Sequence, residues 1–321
     1  METLQLLVLL GPEKMRGKLH QMVTSHFPDA IVHTAGDTPS ALTVIGKVDA
    51  LFTFGSMMST QILEQAPRLK WIHSLGTGVD GICDNPALKA NVTVTATRGI
   101  HGPVMAEMAF CMMLALSRDL PRNIKNKSVR KWDRWPAALL FRKKVGILGV
   151  GLIAGDIASR CKAFGMHVTG ISRTPRSLPS FDRMVDHAAL PAILAELDYL
   201  ILTIPYAPES HHMVNAEFLA KMKPGSFLVN IARGGIVDEE ALATALKSGH
   251  IAGAGLDVFS AEPLPADNPL WELDNVIITA HQGGFSNTYL SDAFPQLERN
   301  LKAFLALDMQ AMEGVVQHQP A

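Results

Sequence analysis

Lys143-Lys-Val-Gly-Ile-Leu-Gly-Val-Gly-Leu-Ile-Ala-Gly155 places a strand, a tight turn and a helix start within thirteen residues. Val145 to Leu148 is a short apolar run suited to a strand buried on both faces. Gly149-x-Gly151-x-x-Ala154 follows at once and fits the dinucleotide fingerprint G-x-G-x-x-G/A. The first glycine permits the turn, the second lets a pyrophosphate approach the backbone, and Ala154 is small enough for the helix to pack on the strand. The helix expected from about Leu152 to Phe164 turns the free N–H groups of its first residues, Leu152 and Ile153, toward the phosphates. A glycine turn alone is weak evidence for a nucleotide. The buried strand before it and the amphipathic helix after it make a nucleotide the better reading.

Working outward, Met166-His-Val-Thr-Gly-Ile171 reads as the second strand of a nucleotide domain, and its end bears on the choice of cofactor. NAD enzymes present an Asp or Glu about 20 residues after the glycine turn, where it takes the ribose hydroxyls. Here Ser172-Arg-Thr-Pro-Arg176 stands instead. The hydroxyls of Ser172 and Thr174 with the guanidinium of Arg173 or Arg176 suit a 2′-phosphate, so the expectation is NADP(H) over NAD(H).

Tyr199–Ile204, Ser226–Ile231, Ala252–Leu256 and Val276–Thr279 continue the apolar strand pattern, with helical or loop material between them. Upstream, Leu6–Leu10, Ala30–His33, Ala50–Phe54, Trp71–Leu75 and Val92–Thr95 form a second alternating set. Strands alternating with helices pair in parallel, so the expected class is α/β with two Rossmann-like domains. One is a doubly wound dinucleotide-binding domain over residues 99–286. The other is a smaller flavodoxin-like substrate domain over 1–98, completed by a closing helix in 287–321.

At 321 residues, with 48% hydrophobic and 18% charged side chains, the chain is long enough for two cores. A net charge of −1 gives no general case for nucleic acid. Leu4–Leu10 lacks the basic flank and cleavage site of a signal peptide and reads as a first strand. No apolar run reaches the roughly 20 residues that span a bilayer, so no membrane is expected. Cys83, Cys111 and Cys161 are too few and scattered for a disulfide framework or metal site. They suit a cytoplasmic protein and are read as small hydrophobes.

Val104 to Leu116 is almost wholly apolar, which predicts a helix buried all round, with Glu107 inside it as a paired structural acid or an organiser of the cleft, the structural role being favoured. Residues 118–144 carry ten basic side chains against Asp119 and Asp133, with Trp132 and Trp135 among them. In a neutral chain this stretch is read as a solvated face or a subunit contact.

Arg233, Glu262 and His281 each follow a strand of one parallel sheet, so all three should emerge at its carboxyl edge beside the cofactor. Singly they read as a surface salt bridge, a cap and a turn histidine; together they suit reduction of a 2-keto acid. His281 can donate the proton, ionised Glu262 would raise its pKa and fix its ring, and Arg233 offers a planar fork to the substrate carboxylate. The backbone around Leu75-Gly-Thr-Gly-Val-Asp80 can hold a carboxylate too.

These segments together resemble the D-isomer-specific 2-hydroxyacid dehydrogenases, which include glyoxylate/hydroxypyruvate reductases. The match runs through Gly76–Asp80, Met105–Glu107, Gly149–Ala154, Lys223–Gly234, Leu256–Leu264 and Thr279–His281. The resemblance implies that Arg233, Glu262 and His281 are catalytic, and that Thr77 and Gly78 bind substrate together with Arg233 and His281. It implies cofactor contacts at Gly149, Gly151, Leu152, Ile153, Ser172, Arg173, Thr174, Pro205, Ile231, Ala232, Arg233, Asp257 and His281, and a homodimer. Ser172 stands where NAD-using members carry Asp, and Ala280 replaces a common Pro. His211 and His212 follow Ser210, where a threonine is usual; they could reach the cofactor phosphates or face solvent, and solvent is the expectation. Formate-oxidising relatives carry glutamine in place of Glu262. A dinucleotide-sensing corepressor and an NAD-dependent dehydrogenase of a larger D-2-hydroxy acid are the alternatives.

Overall fold

In the chain's computed structural model residues 3–318 are described, and the chain divides into two units, 1–100 with 287–321, and 101–286. Residues 1–2 and 319–321, the ends of the ranges expected for the smaller domain, lie outside the described residues.

The first unit alternates strand and helix from the start: β1 (Gln5–Leu9), α1 (Glu13–His26), β2 (Ile31–Ala35), α2 (Thr38–Leu42), β3 (Ala50–Thr53), α3 (Thr60–Glu64), β4 (Trp71–Ser74) and β5 (Thr93–Ala96). The second unit holds α4 (His101–Ser117), α5 (Leu120–Ser128), β6 (Lys144–Leu148), α6 (Leu152–Ala163), β7 (His167–Ile171), β8 (Arg183–Val185), α7 (Leu190–Leu194), β9 (Tyr199–Leu202), α8 (Ala216–Lys221), β10 (Ser226–Asn230), α9 (Glu239–Lys247), β11 (Ile251–Leu256) and β12 (Val276–Ile278). The chain then returns to the first unit with α10 (Tyr289–Leu305) and β13 (Val315–Val316).

The first unit's sheet runs β13-β5-β4-β3-β1-β2, parallel but for β13. Its consecutive strands β1–β5 thus follow the flavodoxin-like 2-1-3-4-5 order. Helix α10 packs its buried Leu290, Phe294, Leu297 and Leu301 into the core that contains Leu6, Val8, Phe52 and Trp71. Its buried Gln296 donates to Ala96 O at 3.1 Å, and Asn300 donates to Glu313 O at 3.0 Å. β13, which the sequence reading does not anticipate, is thereby held beside β5.

The second unit's sheet runs β12-β11-β10-β9-β6-β7-β8, parallel throughout. Its order reverses between β6 and β9, the switch point at which doubly wound sheets take ligands. Leu148 is in register with Ile171 and with Leu202, so β6, β7 and β9 end level and deliver Gly149, Ser172 and Thr203 to one edge. The two faces of the sheet are covered by separate apolar clusters.

Helix α4 lies on one of those faces, packed on α6, β10 and β11. The expectation that it is buried all round, with Glu107 inside, is corrected. Glu107 is exposed, as are Pro103, Cys111 and Leu114, which recur at helical spacing along one stripe. Apolar composition set the helix but did not show that one face stays uncovered in this unit, so Cys111 is not a core residue either. Cys161 is buried, and burial pushes its thiol up to about 12.

Candidate active site

The glycine turn forms as the spacing requires. Gly149 adopts a left-handed φ of 98°, and a Cβ there would lie 2.7 Å from the Ile204 nitrogen. The turn is tied to β9, since the Thr203 hydroxyl donates to Gly149 O at 2.7 Å. Around a Cβ built on Gly151 there is open space, and no side chain caps the start of α6. An open backbone cradle at an uncapped helix N-terminus, with Ala154 fully buried against the core, fits a dinucleotide pyrophosphate. At the end of β7, Ser172 Oγ accepts from Thr174 N at 3.2 Å, and Arg173 and Arg176 are exposed.

Arg233 lies just past β10, where Asn230 organises the turn. Asn230 Nδ2 donates to Arg233 O at 3.0 Å, and its Oδ1 accepts from Ala232 N at 3.1 Å. Gly234 crosses so close to the Phe259 carbonyl that any Cβ would collide with the backbone. This contact sets the Arg233 turn against the segment after β11 that carries Glu262. Glu262 Oε1 accepts from Phe259 N at 2.9 Å, and its other oxygen pairs with His281 Nδ1 at 2.7 Å.

His281 follows β12 with a left-handed φ of 48°, a conformation that side chains other than glycine enter at a cost. Asp257, at the end of β11 and 1% exposed, holds that turn. Its carbonyl accepts from His281 N at 2.8 Å. Its carboxylate accepts from the Thr279 hydroxyl at 2.5 Å, Gln282 N at 3.0 Å and Gly283 N at 2.8 Å. The sequence reading did not anticipate these three donors, although Thr279 stands in the same short motif as His281.

The electrostatics follow from this geometry. The hydrogen bond to Glu262 holds His281 above the ordinary imidazole value, against partial burial, with the charges of Glu262 and Asp257 raising it and that of Arg233 lowering it. Partial burial pushes the Glu262 carboxyl up. The bonds from His281 and the Phe259 amide, with the charges of His281 and Arg233, more than offset it and bring the carboxyl below its usual range. An imidazole whose pKa is raised therefore sits beside a carboxylate whose pKa is lowered and within the field of a guanidinium.

Thr77 and Gly78 lie in the first unit, in the loop after β4. The Arg98 guanidinium donates to Thr77 O at 3.0 Å and the Ser74 hydroxyl to Gly78 O at 2.7 Å. Among the described residues no group of three or more His, Cys, Asp or Glu is placed to hold a metal ion, and no helix is long and apolar enough to cross a membrane.

Comparison with known proteins agrees with this chemistry. Residues 110–283 match the D-isomer specific 2-hydroxyacid dehydrogenase, NAD binding domain. Glyoxylate reductase of Pyrococcus furiosus is 37% identical over 267 residues, covering 80% of this chain and 79% of that protein. A solved D-isomer specific 2-hydroxyacid dehydrogenase family protein from Aeromonas salmonicida superposes with a TM-score of 0.87 at 33% identity, covering 98% of this chain and 99% of the other. A D-isomer specific 2-hydroxyacid dehydrogenase from Xanthobacter autotrophicus, solved with NADPH and MES, does so with a TM-score of 0.81 at 30% identity, covering 97% of each.

Proposed function

The chain belongs to the D-isomer-specific 2-hydroxyacid dehydrogenases and is a 2-keto acid reductase, and from that premise we propose that it reduces glyoxylate, hydroxypyruvate or a similarly small acid with NADPH. The observation that carries the reading is the 2.7 Å pairing of His281 with Glu262 at the sheet edge that also presents Arg233. Residues 99–286 are assigned to the dinucleotide, and 1–98 with 287–321 to the substrate, through the backbone at Thr77 and Gly78.

NADPH held at the glycine turn would supply the hydride for the keto carbon. Arg233 holds the substrate carboxylate and polarises the carbonyl. Glu262 occupies Nδ1 of His281, which leaves Nε2 to carry the proton delivered to the developing alkoxide. Gly149, Gly151, Leu152 and Ile153 would receive the pyrophosphate, and Ser172, Arg173 and Thr174 the 2′-phosphate. No carboxylate occurs from Ser172 to Phe181 to repel that phosphate. Pro205, Ile231, Ala232 and Asp257 complete the expected contacts.

A homodimer is part of the same reading. Leu120, Ile124 and Val129 are 47%, 61% and 66% exposed, and Trp132 is 93% exposed, which supplies apolar surface for a second copy. The test is kcat/KM for glyoxylate, hydroxypyruvate and phenylpyruvate with each cofactor, with the product's configuration determined. A clear NADH preference overturns the cofactor assignment. Dinucleotide binding without turnover of any 2-keto acid overturns the reductase reading.

A further inference from the structure

The segment that carries Glu262 is held by little apolar packing. Phe259 and Leu270 are buried in one core, but most of the residues between them are exposed. Glu262 must nonetheless be placed well enough to meet His281 Nδ1 at 2.7 Å. One side chain that the proposed chemistry does not use touches both ends of the segment. Glu239, in the first turn of α9, accepts from Ser260 N through Oε1 at 2.6 Å and from Asn268 Nδ2 through Oε2 at 3.0 Å.

Both sides of this clip are anchored. Helix α9 buries Leu242, Ala243 and Leu246 in the same core, and the Asp238 carboxylate caps it by accepting from Ala241 N at 3.0 Å. Asn268 Oδ1 accepts from Leu270 N at 3.0 Å, which leaves its amide nitrogen facing Glu239. Gly234, beside Arg233, presses on the Phe259–Ser260 peptide. We propose that Glu239 is a positioning residue for the proton-donor pair, its carboxylate joining the two ends of the segment so that Glu262 stays aimed at His281. This rests on the reading of His281 as proton donor and adds to it a residue that touches neither substrate nor cofactor.

The effect passes through Glu262. A carboxylate on a loosened segment spends part of its time out of line with Nδ1, and a hydrogen bond weakens steeply with poor distance and angle. That bond is the largest influence raising the His281 pKa, with the charges of Glu262 and Asp257 adding to it and burial and the charge of Arg233 opposing it. Opening the clip therefore brings the ring toward its ordinary value. The other charged groups at the clip are Asp238 and Glu240, which flank Glu239 in the chain, and Asp267, which precedes Asn268.

The experiment follows two quantities in the full chain: the alkaline limb of kcat/KM for reduction, and the NMR titration of the His281 ring, assigned by its loss in His281→Gln. Glu239→Gln keeps an acceptor for Ser260 but turns a donor toward the donor of Asn268, and Asn268→Asp sets two carboxylates against each other. The double variant pairs a donor with an acceptor again. Each single variant should move the limb and the ring titration to lower pH and lose about tenfold in kcat/KM on the alkaline side, less than the roughly hundredfold that a 1 Å misplacement can cost. The double variant should recover most of both. The signs separate position from charge, because by field alone removing a negative charge lowers the ring's pKa and adding one raises it. Single variants that shift the ring in opposite directions overturn the clip. So does a lowered Tm with the ring titration unmoved, or a double variant that shows the summed loss. A wild-type chain that turns over no 2-keto acid overturns the reductase reading instead, and the ring titration still decides whether Glu239 places Glu262.

Discussion

Glu262→Gln separates the two things that Glu262 does for His281, because glutamine keeps the size and a hydrogen bond to Nδ1 but removes the charge. The pKa of His281 is raised chiefly by its bond to an ionised carboxylate and further by that carboxylate's charge; a neutral amide stabilises the imidazolium far less, so the pKa falls toward the ordinary value in the variant. Reduction requires the protonated ring, and its rate declines as pH rises through the His281 pKa. The alkaline limb of kcat/KM should therefore move to lower pH in Glu262→Gln, while oxidation of the hydroxy acid, which needs the neutral ring, should begin at lower pH. His281→Ala should lose roughly 10²- to 10⁴-fold in kcat, the usual worth of a general acid. An unmoved limb in Glu262→Gln, or His281→Ala within a few fold of wild type, would remove the proton-donor role. These three side chains were legible in the sequence because each follows an apolar strand at a spacing that a parallel sheet converts into one edge. The left-handed backbone of His281 and the burial of Asp257 beneath it were not, since both depend on how β11 and β12 end side by side.

Helix α4 owes its seat to glycines on the strand below it. In Ile251-Ala-Gly-Ala-Gly-Leu256 a Cβ on Gly255 would lie 2.7 Å from Met112 Cβ, and one on Gly253 would lie 2.9 Å from Leu116 Cδ2. Met112 meets Gly255 near its root rather than its flexible tip, so the helix itself must move to admit a methyl group. Gly255→Ala should then destabilise the second unit by about 1–3 kcal/mol, the usual cost of overpacking, and lower its Tm. A variant that melts with the wild type would show that α4 is loosely seated. At this scale the sequence was informative where strands are long and apolar, and each expected strand forms within a residue or two of its expected ends. It was silent on β8 and β13, edge strands of three and two residues that bury too little to leave a hydrophobic pattern. The exposed stripe of α4 was illegible for a related reason: composition reports how apolar a helix is, and contacts decide which face is covered.

The alternation of strands and helices sufficed to predict two parallel sheets, but the reading of strand motifs could not show that the first unit's core contains a buried histidine. His73 is wholly buried in β4, and its hydrogen bonds define one chain of donors. Trp71 Nε1 donates to Thr95 Oγ1 at 2.8 Å, so the Thr95 hydroxyl is left to donate to His73 Nδ1 at 2.7 Å. His73 Nε2 then donates to Thr97 Oγ1 at 3.1 Å, and Thr97 donates to Ser74 O at 3.3 Å. Every group is satisfied only if the ring is neutral. A proton on Nδ1 would face a hydroxyl already oriented to donate, and burial alone pushes the His73 pKa down to about 3. The unfolded chain accepts that proton near 6.5, so below this pH it binds more protons than the folded one. Stability should fall by up to about 1.4 kcal/mol per pH unit as pH drops from 6.5 toward 3. Glu298 and Glu313, held below their ordinary carboxylate values by partners in the same unit, add losses only at pH below about 4.5. His281 acts in the opposite sense in the second unit, losing its contribution as pH rises through its elevated pKa. His33, in the same unit, is also held below the ordinary imidazole value, by partial burial and by the charge of Lys47, and contributes over the same window. Urea midpoints between pH 6.5 and 5 should therefore decline more steeply in the wild-type chain than in His73→Gln, whereas equal declines would place the acid sensitivity elsewhere.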